Sequence, residues 1–130
     1  MTHELTGKRI LVVEDEPLIS ESLTDQITAE GAQVVGPVRT VEAALNAIIS
    51  TNNLDGAILD IKLIEKMSFQ VADVLAARRV PFVFWTGYAC GDVIPARHAK
   101  VTCLEKPATA HDVTRVLEKL LAGRSTRAPV

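Results

Sequence analysis

The sequence has few cysteines, few aromatic residues and little net charge. Two of its 130 residues are cysteines, Cys90 and Cys103, too few for a disulfide framework and without a Cys-x-x-Cys metal pair. We interpret both as small apolar residues. The formal net charge of -2 lacks the basic excess of a nucleic-acid-binding protein. No apolar run approaches the roughly 20 residues of a membrane helix. The N-terminus also lacks the layout of a signal peptide.

What remains is a composition suited to one folded domain. At 130 residues with 48% hydrophobic content, the chain can build a core without staples and has room for a single domain. We therefore expect a cytoplasmic domain that binds neither nucleic acid nor a membrane.

Apolar periodicity alternates between strand and helix along the chain. Short β-rich runs occupy 10–13, 33–35, 57–59, 81–85 and 101–104, and four of the five are almost continuously apolar, as in strands covered on both faces. Helical spacing follows the first three runs and the last one. Gly87, Gly91 and Pro95 interrupt the fourth segment. The pattern predicts an α/β flavodoxin-like fold: a doubly wound, five-stranded parallel sheet in the order 2-1-3-4-5, with helices on both faces and a short or broken fourth helix.

Polar residues cluster where these predicted strands end. Glu14 and Asp15 follow the first strand, Asp60 the third, Thr86 the fourth and Lys106 the fifth. In such a sheet ligands bind beyond the carboxyl ends of the strands, so these side chains should meet. Clustered carboxylates repel one another and need a cation, and oxygen-only ligands favour Mg²⁺. A carboxylate between Mg²⁺ and a lysine, beside a hydroxyl donor, suits a phosphoryl group.

Four motifs in register resemble the receiver domain of two-component response regulators. They are ILVVEDEP at 10–17, AILD at 57–60, FWTG at 84–87 and LEKP at 104–107. The run from Phe84 through Thr86 and Gly87 to Tyr88 also resembles a branch of stand-alone alphaproteobacterial receivers. The resemblance implies a phosphoacceptor protein rather than an enzyme, phosphorylated by a sensor histidine kinase or phosphotransfer protein.

The resemblance also implies a role for each site residue. Asp60 is the phosphoacceptor, and Thr86 moves toward the phosphoryl group. Lys106 forms an ion pair with the phosphoryl group, and the peptide bond from Lys106 to Pro107 is expected to be cis. The expected Mg²⁺ ligands are Glu14, Asp15, Asp60 and the backbone carbonyl of Lys62.

The resemblance divides the chain into an N-terminal extension at 1–6, a receiver domain at 7–122 and a flexible tail at 123–130. The protein would signal by binding to an unidentified downstream protein, or it would remove phosphoryl groups from a kinase as a phosphate sink. One departure from the family is Cys103, which stands where many members carry an aromatic switch residue. Another is Lys62, at a position that tunes the lifetime of the phosphoryl group.

Other interpretations remain open from the residues. The acidic run at 14–16 could simply favour the start of the first helix. The three histidines are interpreted as surface residues. A receiver-shaped module could bind protein without phosphorylation. A Mg²⁺-dependent phosphohydrolase of the haloacid-dehalogenase type would also use a strand-end Asp. It would need a general acid at the position of Lys62 and a substrate cap.

Overall fold

The computed structural model describes the backbone of residues 4–64 and 66–126 and the side chains through 122. Five strands form one parallel sheet in the order β2-β1-β3-β4-β5, which confirms the predicted topology. The strands are β1 (Arg9–Val13), β2 (Gln33–Val38), β3 (Gly56–Leu59), β4 (Phe82–Thr86) and β5 (Cys103–Glu105). The central strands β3 and β4 are buried along their whole length, which explains their continuously apolar sequence.

In the part of the chain that the structure describes, five α-helices cover the two faces of the sheet. They are α1 (Pro17–Ala29), α2 (Val41–Ser50), α3 (Phe69–Ala77), α4 (Cys90–Val93) and α5 (Ala110–Thr126). One hydrophobic cluster includes buried residues of α2 and α3, and the other includes buried residues of α1 and α5. The fourth helix is four residues long and is followed by a 3-10 turn at Ala96–His98, as its glycines and proline predicted.

Local sequence signals explain several helix ends. Pro17 occupies the first turn of α1, where the missing N–H costs nothing. Before α5, the Thr109 hydroxyl accepts a hydrogen bond from the Asp112 N–H, and the Asp112 carboxylate accepts one from the Thr109 N–H. This reciprocal pair is the predicted capping box.

Two individual positions differ from what their patterns suggest. Ile49 follows the buried Ile48 in α2, yet 67% of its surface is exposed. His98 is buried rather than on the surface, with its ring 2.7 Å from the Asp73 carboxylate and edge-on to Phe82 and Phe84.

The interpretation of the two cysteines as independent apolar residues was also wrong. Cys90 at the start of α4 and Cys103 at the start of β5 form a disulfide, with Cα atoms 6.1 Å apart. Their separation of 13 residues gives no sign of this proximity. It arises because the chain leaves β4, forms the short α4 and returns beside β4 as β5.

The ends of the predicted domain can be followed only in part. Leu5, in the predicted N-terminal extension, is buried. The backbone of α5 continues to Thr126, while 1–3 and 127–130 lie outside the described residues. Among the helices of the described part, none has both the length and the hydropathy required to cross a bilayer.

Candidate functional site

The register of the parallel sheet brings the predicted site residues together at one edge. Val13 pairs with Leu59, so the residues that follow them, Glu14 and Asp60, leave adjacent strands side by side. The Asp60 N–H donates to the Val13 carbonyl at 2.9 Å, which extends the pairing to the site itself. On the other side, the Lys106 N–H donates to the Thr86 carbonyl at 2.7 Å. Four strand ends thus supply the side chains that the sequence placed there.

Three carboxylates meet at this edge. Glu14, Asp15 and Asp60 each offer an oxygen, and these oxygens lie within 4.8 Å of one another. Glu14 and Asp60 are buried, whereas Asp15 is partly exposed. Because buried like charges repel, this arrangement needs positive charge close by.

Lys106 supplies one such charge. Its Nζ lies 3.1 Å from Glu14 Oε1 and 3.3 Å from Asp60 Oδ2, so one ammonium group bridges the two buried carboxylates. Burial lowers the pKa of Lys106, whereas the negative charges of Asp60 and Glu14 together raise it by more. The net shift of the pKa is upward, so the side chain stays charged. The peptide bond from Lys106 to Pro107 is cis, as expected.

The lysine does not neutralise the cluster. Burial, and then the charge of Asp60, raise the pKa of Glu14 to about 7 against the opposing effect of Lys106. A second cation would offset this repulsion. The donor set consists of carboxylate oxygens without histidine or cysteine, which suits a hard divalent cation. The residues present therefore fit a metal of that class.

Thr86 and Lys62 lie at the same edge of the sheet, but Thr86 is buried and Lys62 is exposed. Thr86 is fully buried, and its hydroxyl accepts a hydrogen bond from the Tyr88 N–H at 3.2 Å. Lys62 is exposed and lines an open depression of about 420 Å³ that also includes Asp60, Lys106 and Tyr88. The depression leaves Asp60 open to a reaction partner.

Ser68 is a structural residue of the site that sequence reasoning missed. It is fully buried, its hydroxyl donates to the Asp60 carbonyl at 2.6 Å, and its N–H donates to the Ile61 carbonyl at 2.7 Å. These two bonds fix the loop that carries Asp60. A serine just before an apolar helical run is the available signal, although that signal predicts a helix cap rather than this contact.

The aromatic residue beside Lys106 is a packing residue. Trp85 is 4% exposed, and its indole N–H donates to the Ala108 carbonyl at 3.1 Å. The Lys106 ammonium lies 5.5 Å from the centre of the Trp85 ring, within cation–π range. Trp85 therefore helps to hold the ammonium group of Lys106 in position.

Comparison with known proteins gives relatives with the same fold. No protein-family model matches the chain. The chain is 33% identical over 115 residues to the phyllosphere-induced regulator PhyR of Methylorubrum extorquens, covering 86% of this chain and 43% of PhyR. It spans about half the length of the curated relatives it matches.

Two solved structures match over nearly their full length. SdrG from Sphingomonas melonis Fr1 is 39% identical, with a TM-score of 0.75, over 93% of this chain and 99% of SdrG. The response regulator TrrA of Thermotoga maritima, in complex with Mg²⁺ and beryllofluoride, is 28% identical with a TM-score of 0.74, over 87% of this chain and 98% of TrrA. On these identities and coverages, this chain belongs to the receiver-domain family of two-component response regulators.

Proposed function

We propose that the chain is a response regulator that accepts a phosphoryl group on Asp60 from the phosphohistidine of a sensor kinase or phosphotransfer protein. One observation carries the proposal: Asp60 lies within a carboxylate cluster, is paired with Lys106, and opens into a depression. A carboxylate held in this way can act as a nucleophile. The positive charge beside it is already in place to stabilise the negative charge of the phosphorylated product.

In the proposed transfer, an oxygen of Asp60 attacks the phosphorus and forms an acyl phosphate as the bond to the donor nitrogen breaks. Lys106 is 3.3 Å from Asp60 and holds a positive charge where the phosphoryl oxygens would arrive. The metal ligands would be Glu14, Asp15, Asp60 and the Lys62 carbonyl. Mg²⁺ bound there would neutralise the charge that develops on the phosphoryl oxygens.

Thr86 would act after the transfer. Its hydroxyl now accepts from the Tyr88 N–H, and a phosphoryl group on Asp60 would offer it an alternative partner. Exchange of that hydrogen bond would shift the population toward a second arrangement of the segment that follows β4. The surface around α4 would then report phosphorylation to a downstream protein.

The output would be binding to that downstream protein or service as a phosphate sink. The relatives TrrA and PhyR are named as regulators, which supports a signalling role rather than turnover of a substrate. We also propose a cytoplasmic location, the compartment in which a kinase partner is expected.

Labelling with a small phosphodonor tests the assignment of Asp60. The protein would be incubated with acetyl phosphate and Mg²⁺ and weighed intact by mass spectrometry. We expect one phosphoryl group on the wild type and none on Asp60→Asn. The matched control is Asp25→Asn, an exposed aspartate on α1, which should label as the wild type does. Full labelling of Asp60→Asn would refute the proposal.

The same variant addresses the phosphorylation-independent alternative. Once a binding partner is isolated, equal affinity for phosphorylated wild type and for Asp60→Asn would favour that alternative. The phosphohydrolase alternative is disfavoured by Lys62, whose exposed ammonium stands where that chemistry needs a general acid. Steady release of phosphate from several phosphomonoesters at a constant rate would support it instead.

A further inference from the structure

The Cys90–Cys103 disulfide joins two segments that border the candidate site. Cys90 lies four residues after Thr86, and Cys103 lies three residues before Lys106. Cys103 also pairs in the sheet with Phe84, on the strand that ends in Thr86. Together with the pairing of Phe84 and Cys103, the disulfide therefore closes a ring that contains the segment Gly87–Ala89, which leads directly from Thr86 to α4.

Among the described residues, the segment and α4 lie near the surface, with the partly buried Val93 packed against one core cluster. None of the four described residues of α4 is buried, and residues 87–89 are exposed. The Cys90 N–H donates to a Glu105 carboxylate oxygen at 2.9 Å, and this contact also links α4 to β5. Without the disulfide, that exposed hydrogen bond would be a weak tie, because water competes for both groups.

Neither cysteine is fully enclosed by the protein. Both are partly buried, and Cys103 packs against one of the two core clusters. Exposed disulfides are usually the labile or regulatory ones, and in reducing compartments such bonds are usually transient. This bond lies at the margin of a hydrophobic core whose buried residues include neither cysteine, and that position fits a reversible modification better than a staple.

We propose that Cys90 and Cys103 are a reversible oxidation site for low-molecular-weight disulfides, and that the oxidised form restrains the Thr86–Cys90 segment. A thiolate of one cysteine attacks the small disulfide and releases one small thiol, leaving a mixed disulfide. The second cysteine then attacks the protein-bound sulfur and releases the second small thiol. The balance is two protein thiols and one small disulfide giving one protein disulfide and two small thiols.

The restraint rests on the proposed function, because it acts on the move assigned to Thr86. When the Thr86 side chain turns toward Asp60, its hydroxyl moves relative to the Tyr88 N–H that donates to it, so the segment carrying Tyr88 either loses this contact or moves with it. The disulfide anchors the far end of that segment to β5. The oxidised protein should therefore bind a phosphoryl mimic less tightly than the reduced protein.

The first experiment counts thiols on the native protein in buffers of reduced and oxidised glutathione. Samples are alkylated with N-ethylmaleimide without denaturant and weighed intact. We expect two alkyl groups in reduced glutathione, none in oxidised glutathione, and full return on reversal. If the bond opens only in denaturant, or fails to re-form, the oxidation site is refuted.

The second experiment measures beryllofluoride affinity, in the presence of Mg²⁺, of the oxidised and reduced protein. We expect a loss of at least about fivefold on oxidation, the lower end of usual coupling between two sites. The double variant Cys90→Ser, Cys103→Ser should match the reduced protein under both conditions. Equal affinity of the two wild-type forms would overturn the restraint and leave the proposed function intact. If no form binds beryllofluoride, the proposed function and the restraint both fail, while thiol counting still decides the oxidation site.

Discussion

Replacement of Asp15 by Asn should stabilise the protein when no divalent cation is bound. The Asp15 carboxylate lies within 4.8 Å of both Glu14 and Asp60. At that distance, each repulsion is worth about 0.9 kcal/mol in the dielectric of water and about 3.5 kcal/mol at an effective dielectric constant of 20. Asp15 is partly exposed, and its attraction to Lys106 is lost as well, so we expect a net gain of about 1–2 kcal/mol.

Thermal unfolding in a chelator measures this gain. A domain of this size should unfold about 3–6 °C higher in Asp15→Asn than in the wild type. Excess Mg²⁺ should reverse the order: at about 100 times its Kd, a bound cation adds about 2.7 kcal/mol to the wild type, more than the expected gain of the variant. The variant, which lacks one of the proposed ligands, should gain much less.

The adjacent Glu16 provides the matched control. Its side chain is exposed, and it does not belong to the carboxylate cluster, so Glu16→Gln should change stability by less than about 0.5 kcal/mol. A lower unfolding temperature of Asp15→Asn in chelator would show that the carboxylates are not in net repulsion. An unchanged response of Asp15→Asn to Mg²⁺ would remove Asp15 from the ligand set.

Three further predictions concern the scaffold. Ile48→Ala should lower the free energy of unfolding in urea by about 2–5 kcal/mol, and Ile49→Ala should lower it by less than about 0.5 kcal/mol, because of these two residues only Ile48 is buried. Similar losses in the two variants would contradict the described orientation of α2. Thr109→Ala should lower the free energy of unfolding by about 1 kcal/mol through loss of the capping box, and no change in urea would dismiss that contact. The Arg97 guanidinium hydrogen-bonds to Asp73 and holds the pKa of that carboxyl below its ordinary value. The stability that this contact contributes is therefore present above the pKa of Asp73 in the unfolded chain, and it is lost as the pH falls through the pKa of Asp73 in the folded protein. Arg97→Gln should raise the pKa of Asp73 in a carbon-13 NMR titration, and an unmoved pKa would exclude this cause.

The sheet and the site could be predicted from the sequence for the same reason. Continuous apolar runs indicate buried parallel strands, and the carboxyl ends of parallel strands must share one edge. Acidic residues directly after two such runs, at Glu14 and Asp60, then have to be neighbours whatever the details of the loops. The structure places them side by side, with Lys106 between them.

Contacts set by loops could not be predicted in this way. Ser68 reaches the Asp60 carbonyl because the β3–α3 connection folds back on itself, with an isolated bridge between Lys62 and Met67. The burial of His98 depends on where the short turn after α4 meets Asp73. Neither connection has a periodicity that fixes its path, so their side-chain partners are visible only in three dimensions.

The site and the disulfide differ in how the fold determines them. The carboxylates of Glu14 and Asp60 are held together against their own repulsion by sheet register, so their proximity is obligatory once the strands pair. The cysteines meet through a four-residue helix with no buried residue among those described, and the strand pairing fixes only one of the two, Cys103. An obligatory, electrostatically costly cluster is what a binding site for a cation and a phosphoryl group requires. A contact that the core does not enforce can open and close without unfolding the domain, and that property makes the Cys90–Cys103 pair suited to regulation.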